Sequence, residues 1–158
     1  MTAQPVIRRA VAEDADALTD LALRSKAHWG YDAAFMAACV EELTTTAGAI
    51  STNEIWLAEA CGEIIGFYEL IAYTGRRYGE IRMCFVAPEH MGRGIGRRLW
   101  GHVEARAAAH NLERLGLDAD PNAVPFYSAM GMAVIGESPS GSIAGRMLPR
   151  MEKQLPAP

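Results

Sequence analysis

The chain has 158 residues, 50% of them hydrophobic and 22% charged, with a formal net charge of -4. A length of this order predicts one domain, the balance excludes a disordered or fibrous chain, and the acidic sign excludes a duplex nucleic-acid binder, which needs an excess of Lys and Arg. Cys39, Cys61 and Cys84 are odd in number and widely spaced, so they read as buried thiols of a reducing compartment; with no apolar run of membrane-spanning length and no signal-peptide core before Arg9, a cytoplasmic protein with no membrane partner is expected.

Residues 6–9 predict a short strand and residues 13–28 a helix, with Ala15, Leu18, Leu21, Ala22, Ser25 and Trp29 at helical spacing. Its first turn is acidic and its last basic, as the helix dipole prefers, and Gly30 stops it. Asp32 caps a second helix running to about Leu43, with Phe35, Met36, Cys39, Val40 and Leu43 on the apolar face. Residues 44–53 read as a loop. Residues 55–60, 64–73 and 80–87 are β-rich runs broken at Cys61-Gly62 and at residues 74–79, which predicts three consecutive antiparallel strands. A glycine-rich turn after Pro88 enters a helix over about 94–110, and residues 114–119 form a further strand, so strand, helix and strand make a right-handed parallel crossover. Residues 121–130 are a short helix closed by Gly131. Residues 132–136 and 143–149 are a closing strand pair around the loop 137–141, and residues 154–158 are a disordered tail.

The most informative stretch is Val86-Ala87-Pro88-Glu89-His90-Met91-Gly92-Arg93-Gly94-Ile95-Gly96-Arg97-Arg98, where a strand enters a helix through alternate glycines. Such a turn presents backbone N-H groups beside a helix start, which together suit a phosphate. It is not a Walker loop, which ends in Gly-Lys-Ser/Thr, nor the dinucleotide pattern, which needs a glycine where Arg97 or Leu99 stands. Arg97 and Arg98 oppose the dipole of their own helix by ~0.3 to 1 kcal/mol each; a bound polyanion reverses that sign. The bland alternative is a tight turn with both arginines in solvent.

This strand, Val-x-Pro and Gly-x-Gly-x-Gly succession resembles motif A of the GNAT superfamily of N-acetyltransferases. The stretch Asp120-Pro121-Asn122-Ala123-Val124-Pro125-Phe126-Tyr127-Ser128-Ala129-Met130-Gly131 resembles its motif B, and the order of elements agrees over nearly the whole chain. The resemblance implies acetyl-CoA as cosubstrate, with its pyrophosphate at Met91, Gly92, Arg93, Gly94, Ile95, Gly96 and Arg97. Phe85, Val86 and Ala87 would lie along the pantetheine arm, with Asn122 and Phe126 completing the cofactor site. Met91 stands where the family usually has Gln or Arg, which removes one side-chain contribution but leaves the backbone donors.

Tyr127 resembles the family tyrosine that protonates the departing thiolate, a plausible task for a phenol of pKa ~10; otherwise it is a core tyrosine. Glu80 resembles the glutamate base of some protein-acetylating members. By the two-residue period it shares a face with Arg82 and Cys84; its alternative is a solvated strand end. Trp29 and Tyr31, at the turn between the first helices, and Tyr68 with Glu69 on the hairpin, are candidates to bind the acceptor amine, although Trp29 and Tyr31 could simply cover the core. No His and Cys lie at metal-ligand spacing, so no metal site is expected.

The expected architecture is a single α/β (α+β) domain: a mixed central sheet of six to seven strands with a splayed parallel pair, flanked by about four helices. The expected function is acetyl transfer from acetyl-CoA to a primary amine, on a small molecule or a protein, by direct attack in a ternary complex. A non-catalytic acyl-CoA-binding module and a transferase for a longer acyl group are the alternatives; a homodimer is compatible with either.

Overall fold

The structure, a computed structural model, describes residues 4–156. A seven-stranded sheet of order β1-β2-β3-β4-β5-β7-β6 carries helices on both faces. The strands are β1 (Val6–Arg9), β2 (Glu54–Ala60), β3 (Glu63–Tyr73), β4 (Tyr78–Val86), β5 (Arg114–Asp118), β6 (Ala133–Pro139) and β7 (Met147–Gln154). The helices are α1 (Ala15–Ala27), α2 (Ala33–Leu43), α3 (Ala47–Thr52), α4 (Ile95–Ala109) and α5 (Val124–Ala129). Among the described residues, only β4 and β5 are parallel. No helix among the described residues is long and apolar enough to cross a membrane.

The period of two along β3 divides the core. Tyr68 and Leu70 face α4, where Leu99, Val103 and Ala107 meet Leu115, Leu117 and Met151, whereas Phe67 faces α1 and α2 with Leu18, Leu21, Cys39, Ile55 and Met83. Burying one such leucine stabilises the fold by roughly 1.5 to 3 kcal/mol. Asp32 caps α2 as its composition predicts, accepting from the Phe35 amide at 2.8 Å.

Several boundaries differ from the sequence reading. The loop expected over 44–53 contains α3, capped by the Thr46 hydroxyl on the Ala49 amide at 3.1 Å and anchored by buried Ile50; six residues are too few to display a helical period. The last strands are longer and shifted, because Met147–Gln154 pairs with β6 on one side and β5 on the other. The strand expected over 143–149 stops short of Arg150, Glu152 and Lys153, which continue it as β7. The expected tail is also anchored at its start: Gln154 pairs with Arg114, and the Leu155 amide donates to Glu113 O at 2.9 Å. Its last two residues, 157 and 158, lie outside the described residues. Cys61 is exposed in the β2–β3 turn at φ +52, contrary to the expectation of buried thiols.

A bulge in β4 matters most for the site. Its register against β3 steps from Glu69↔Met83 to Leu70↔Ile81 and leaves Arg82 as the extra residue. Ile81 therefore belongs to the α4 face and Met83 to the α1–α2 face, two residues apart but on opposite sides. Glu80 and Arg82 stay on the α1–α2 face, while Cys84 turns to the α4 side, so the shared face expected for all three does not exist.

Candidate active site

β4 and β5 pair only where Tyr78, Glu80 and the glycine between them meet Arg114, Leu115 and Gly116. Beyond that point the strands part, and a cleft of about 730 Å³ enters between them. The edge of β4 facing β5 has no strand partner there, leaving backbone amides free for an extended ligand.

At one end of the cleft, Gly92 (φ +76) and Gly94 (φ +83) make the left-handed turn that delivers the chain into α4. Nothing lies within 4 Å of where a Cβ on Gly94 would stand. The first amides of α4 have no acceptor within the helix, and they face this open space together with the positive end of the dipole. Among the described residues Arg93 and Arg97 make no ion pair, and Arg98 reaches only Gln4 at 3.3 Å. Met91 lines the cleft beside them. Gly96 serves packing: its missing Cβ would stand 3.0 Å from the Phe126 ring, which clamps α5 onto the start of α4. The Ile95 side chain is buried in the core, so only its backbone serves this end.

In the middle, Phe85 and Val86 line the cleft, but Ala87 does not; Ala87 is buried and its amide donates to Ile65 O at 2.9 Å. Tyr127, carried by α5 and packed edge-on against Trp100 and Phe126, sets its hydroxyl against the Cys84 thiol. Burial pushes the Tyr127 phenol well above its usual value, with Cys84 adding to the effect. Burial pushes the Cys84 thiol up to about 12. Both keep their protons through neutral pH, so Tyr127 is a donor in the cleft and Cys84 is not a nucleophilic thiolate.

The far end is built from distant segments. Lys26 of α1 and the Tyr31 hydroxyl donate to Asp120 Oδ2 at 2.7 and 2.8 Å, the Asn122 amides donate to Oδ1, and Arg146 donates to Tyr31 at 2.9 Å. Burial alone would raise the Asp120 carboxyl, but Lys26 and the Asn122 amide outweigh it and hold the group below its usual value. Asn122, expected on the cofactor, thus spends its side chain on Tyr31 and Asp120 while still lining the cleft. Tyr31 stacks on Phe35 at 4.0 Å and ties α2 to this network without lining the cleft. Trp29 does line it and is half-exposed. Tyr68 does not: it is fully buried on the α4 face, with its hydroxyl 2.7 Å from His102 Nδ1.

Glu80 sits at the fork of the strands, held by Arg150 through Nη1 to Oε1 at 2.7 Å and Nη2 to Oε2 at 2.9 Å, with the Tyr78 hydroxyl donating to it. Gly116 makes this possible, since a Cβ there would run into Arg150 and Tyr78. Both Glu80 oxygens are therefore engaged by Arg150. Sequence reasoning missed Arg150, Asp118, Lys26, Arg146 and Cys84 as cleft residues or their partners; each is a lone polar group in an otherwise ordinary element. Among the described residues no cluster of His, Cys, Asp and Glu could hold a metal.

Residues 15–155 match the acetyltransferase (GNAT) domain family. An amino-acid acetyltransferase from Ralstonia nicotianae is 46% identical over 54 residues, 34% of this chain and 12% of that protein. A mycothiol acetyltransferase from Streptomyces griseus is 37% identical over 81 residues, 48% of this chain and 26% of that protein, so the match covers only a small part of either relative. Among solved structures, PaiA N-acetyltransferase from Thermoplasma acidophilum in complex with coenzyme A superposes with a TM-score of 0.79 at 22% identity, covering 96% of this chain and 99% of that one. With a family match running from the first helix through the last strand, on a sheet that splits at its parallel pair, the chain belongs to the GNAT acetyltransferase family.

Proposed function

We propose that the protein transfers the acetyl group of acetyl-CoA to a primary amine by direct attack while both substrates are bound. The observation that carries this reading is the unpartnered β4 edge, which leads from the open start of α4 to the Tyr127 hydroxyl. The amides of Ile95, Gly96 and Arg97 with the side chains of Arg93 and Arg97 would hold the pyrophosphate, and Phe85 and Val86 would flank the pantetheine. The thioester then falls beside Tyr127 and Cys84.

The amine nitrogen forms the new N-C bond as the C-S bond breaks, and the electron pair leaves on sulfur. Tyr127, still protonated, donates to that sulfur. Protonated Cys84 argues against an acetyl-cysteine relay and so favours direct attack. With Glu80 and Asp120 both engaged by cations, the proton lost by the amine is assigned to water in the cleft rather than to either carboxylate.

The test is thiol release from acetyl-CoA over a panel of primary amines, with product mass measured. Tyr127→Phe should lower kcat by about 100-fold or more, since general acid catalysis typically contributes ~100 to 10,000-fold, with little change in the acetyl-CoA Kd. Tight acetyl-CoA binding with no amine-dependent thiol release would make the protein a binding module, and faster turnover of a longer thioester would reassign the acyl group.

A further inference from the structure

Most carboxylates lining the cleft are already neutralised. Arg150 takes Glu80 and Asp118, and Lys26 with Arg146 takes Asp120. Glu42, on the last turn of α2, lines the same cleft, is exposed, and among the described residues has no ion pair or side-chain hydrogen bond. Its carboxylate lies against the β6–β7 loop, with Oε1 3.5 Å from where a Cβ on Gly141 would stand.

The last turn of α2 supplies no cation of its own for this side chain. Glu41 and Glu42 both sit at the negative end of the α2 dipole, with no basic residue in the last turn. Each opposes the dipole, as Arg97 and Arg98 oppose that of α4 at its start. Arg82 of β4 meets the α2 dipole at the main chain, donating to the Glu42 backbone carbonyl at 3.0 Å, so the charge left over at this end is that of the Glu42 side chain. Among the described residues Arg82 makes no ion pair with the Glu42 carboxylate; its carboxylate partner is Glu69, Oε1 at 2.7 Å. Glu41 borders a shallower hollow of about 430 Å³ that shares Ile71 and Arg82 with the cleft.

Arg82 also sets the distance. It stands two residues along β4 from Cys84, roughly 6 to 7 Å of strand, and Glu42 lies beyond the tip of its side chain. The attacking nitrogen must come within ~3 to 3.5 Å of the thioester carbon, beside Tyr127, so it is not the group that Glu42 holds. We propose that Glu42 determines acceptor specificity, and that the acceptor carries a second cationic group, besides the amine that is acetylated, which Glu42 binds. This rests on the acetyl-transfer reading above.

The experiment compares pentylamine with the terminal pentanediamine as acceptors for the wild type and Glu42→Gln. The wild type should favour the diamine by about tenfold in kcat/KM, the worth of one charged hydrogen bond. In Glu42→Gln that preference should fall to the statistical value set by two equivalent amines, with the change in KM. Thermal unfolding and acetyl-CoA Kd report that the variant is folded and loaded. An equal diamine preference in both proteins, no preference in the wild type, or an equal loss for both amines would overturn the proposal. Thiol release with neither of these amines but with others of the panel would overturn this proposal and leave the acetyl-transfer reading standing, whereas release with no amine of the panel would overturn that reading.

Discussion

The two ends of the cleft are built by different means. The end at the start of α4 comes from one contiguous stretch, 88–98, and works through main-chain amides positioned by Gly92 and Gly94. The opposite end is assembled from α1, α2, β4, the Asp120–Asn122 turn and the β6–β7 loop, and works through side chains. Among the described residues, the first end leaves cations unpaired, whereas the second pairs nearly every charge and leaves Glu42 free. A diphosphate site can be made from local backbone geometry because every residue has an N-H, whereas an acceptor site must bring chosen side chains together from afar.

Breaking the main-chain end should give the largest effect. Gly94→Val should weaken acetyl-CoA binding about 100-fold, because a β-branched residue cannot hold the left-handed conformation and the amides turn away. With no neighbour within 4 Å of the new Cβ, the domain should stay folded. Calorimetry on the folded variant checks this, and unchanged affinity would detach the turn from the cofactor.

Breaking the side-chain end should cost stability instead. Asp120→Asn leaves Lys26 and Arg146 without their carboxylate and should destabilise the domain by about 2 kcal/mol, below the ~3 to 5 of a fully buried pair. Because the folded carboxyl lies below its usual value, its contribution is complete above the unfolded value of ~3.9 and is lost as pH falls through the folded one. The stability gap between wild type and variant, followed by denaturant unfolding, should therefore be full at pH 7 and shrink below about pH 4. A gap independent of pH would assign the effect to packing. Acetyl-CoA affinity should barely change, which separates the two ends.

The smallest effect sharpens the contrast in charge. Arg97→Gln should stabilise the unliganded protein by ~0.3 to 1 kcal/mol, since it removes a cation from a helix start. It should also weaken acetyl-CoA binding several-fold and flatten its salt dependence. Opposite signs in unfolding and binding are the expected signature; a loss in both would make Arg97 a structural residue.

The sequence by itself determined the order of the strands and of the helices other than α3, the open turn before α4, Phe126 and Tyr127 on a short helix, and the membership these imply. Those features are legible because they are local: a positive φ favours glycine, Asp32 is a ready cap, and an amphipathic face repeats within a few residues. Only the tertiary structure decided which polar residues meet. Arg82 enters β4 as a bulge because β3 and β4 pair out of step, and that slip sends Cys84 to Tyr127 and away from Glu80. Glu80 lost its freedom to Arg150, seventy positions away, over a glycine that no local pattern marks. Tyr68 looked available from its strand, yet its parity points it at α4. Side-chain pairing across the sheet depends on register and on which strands part, and these are set by the whole packed molecule rather than by any window of its chain.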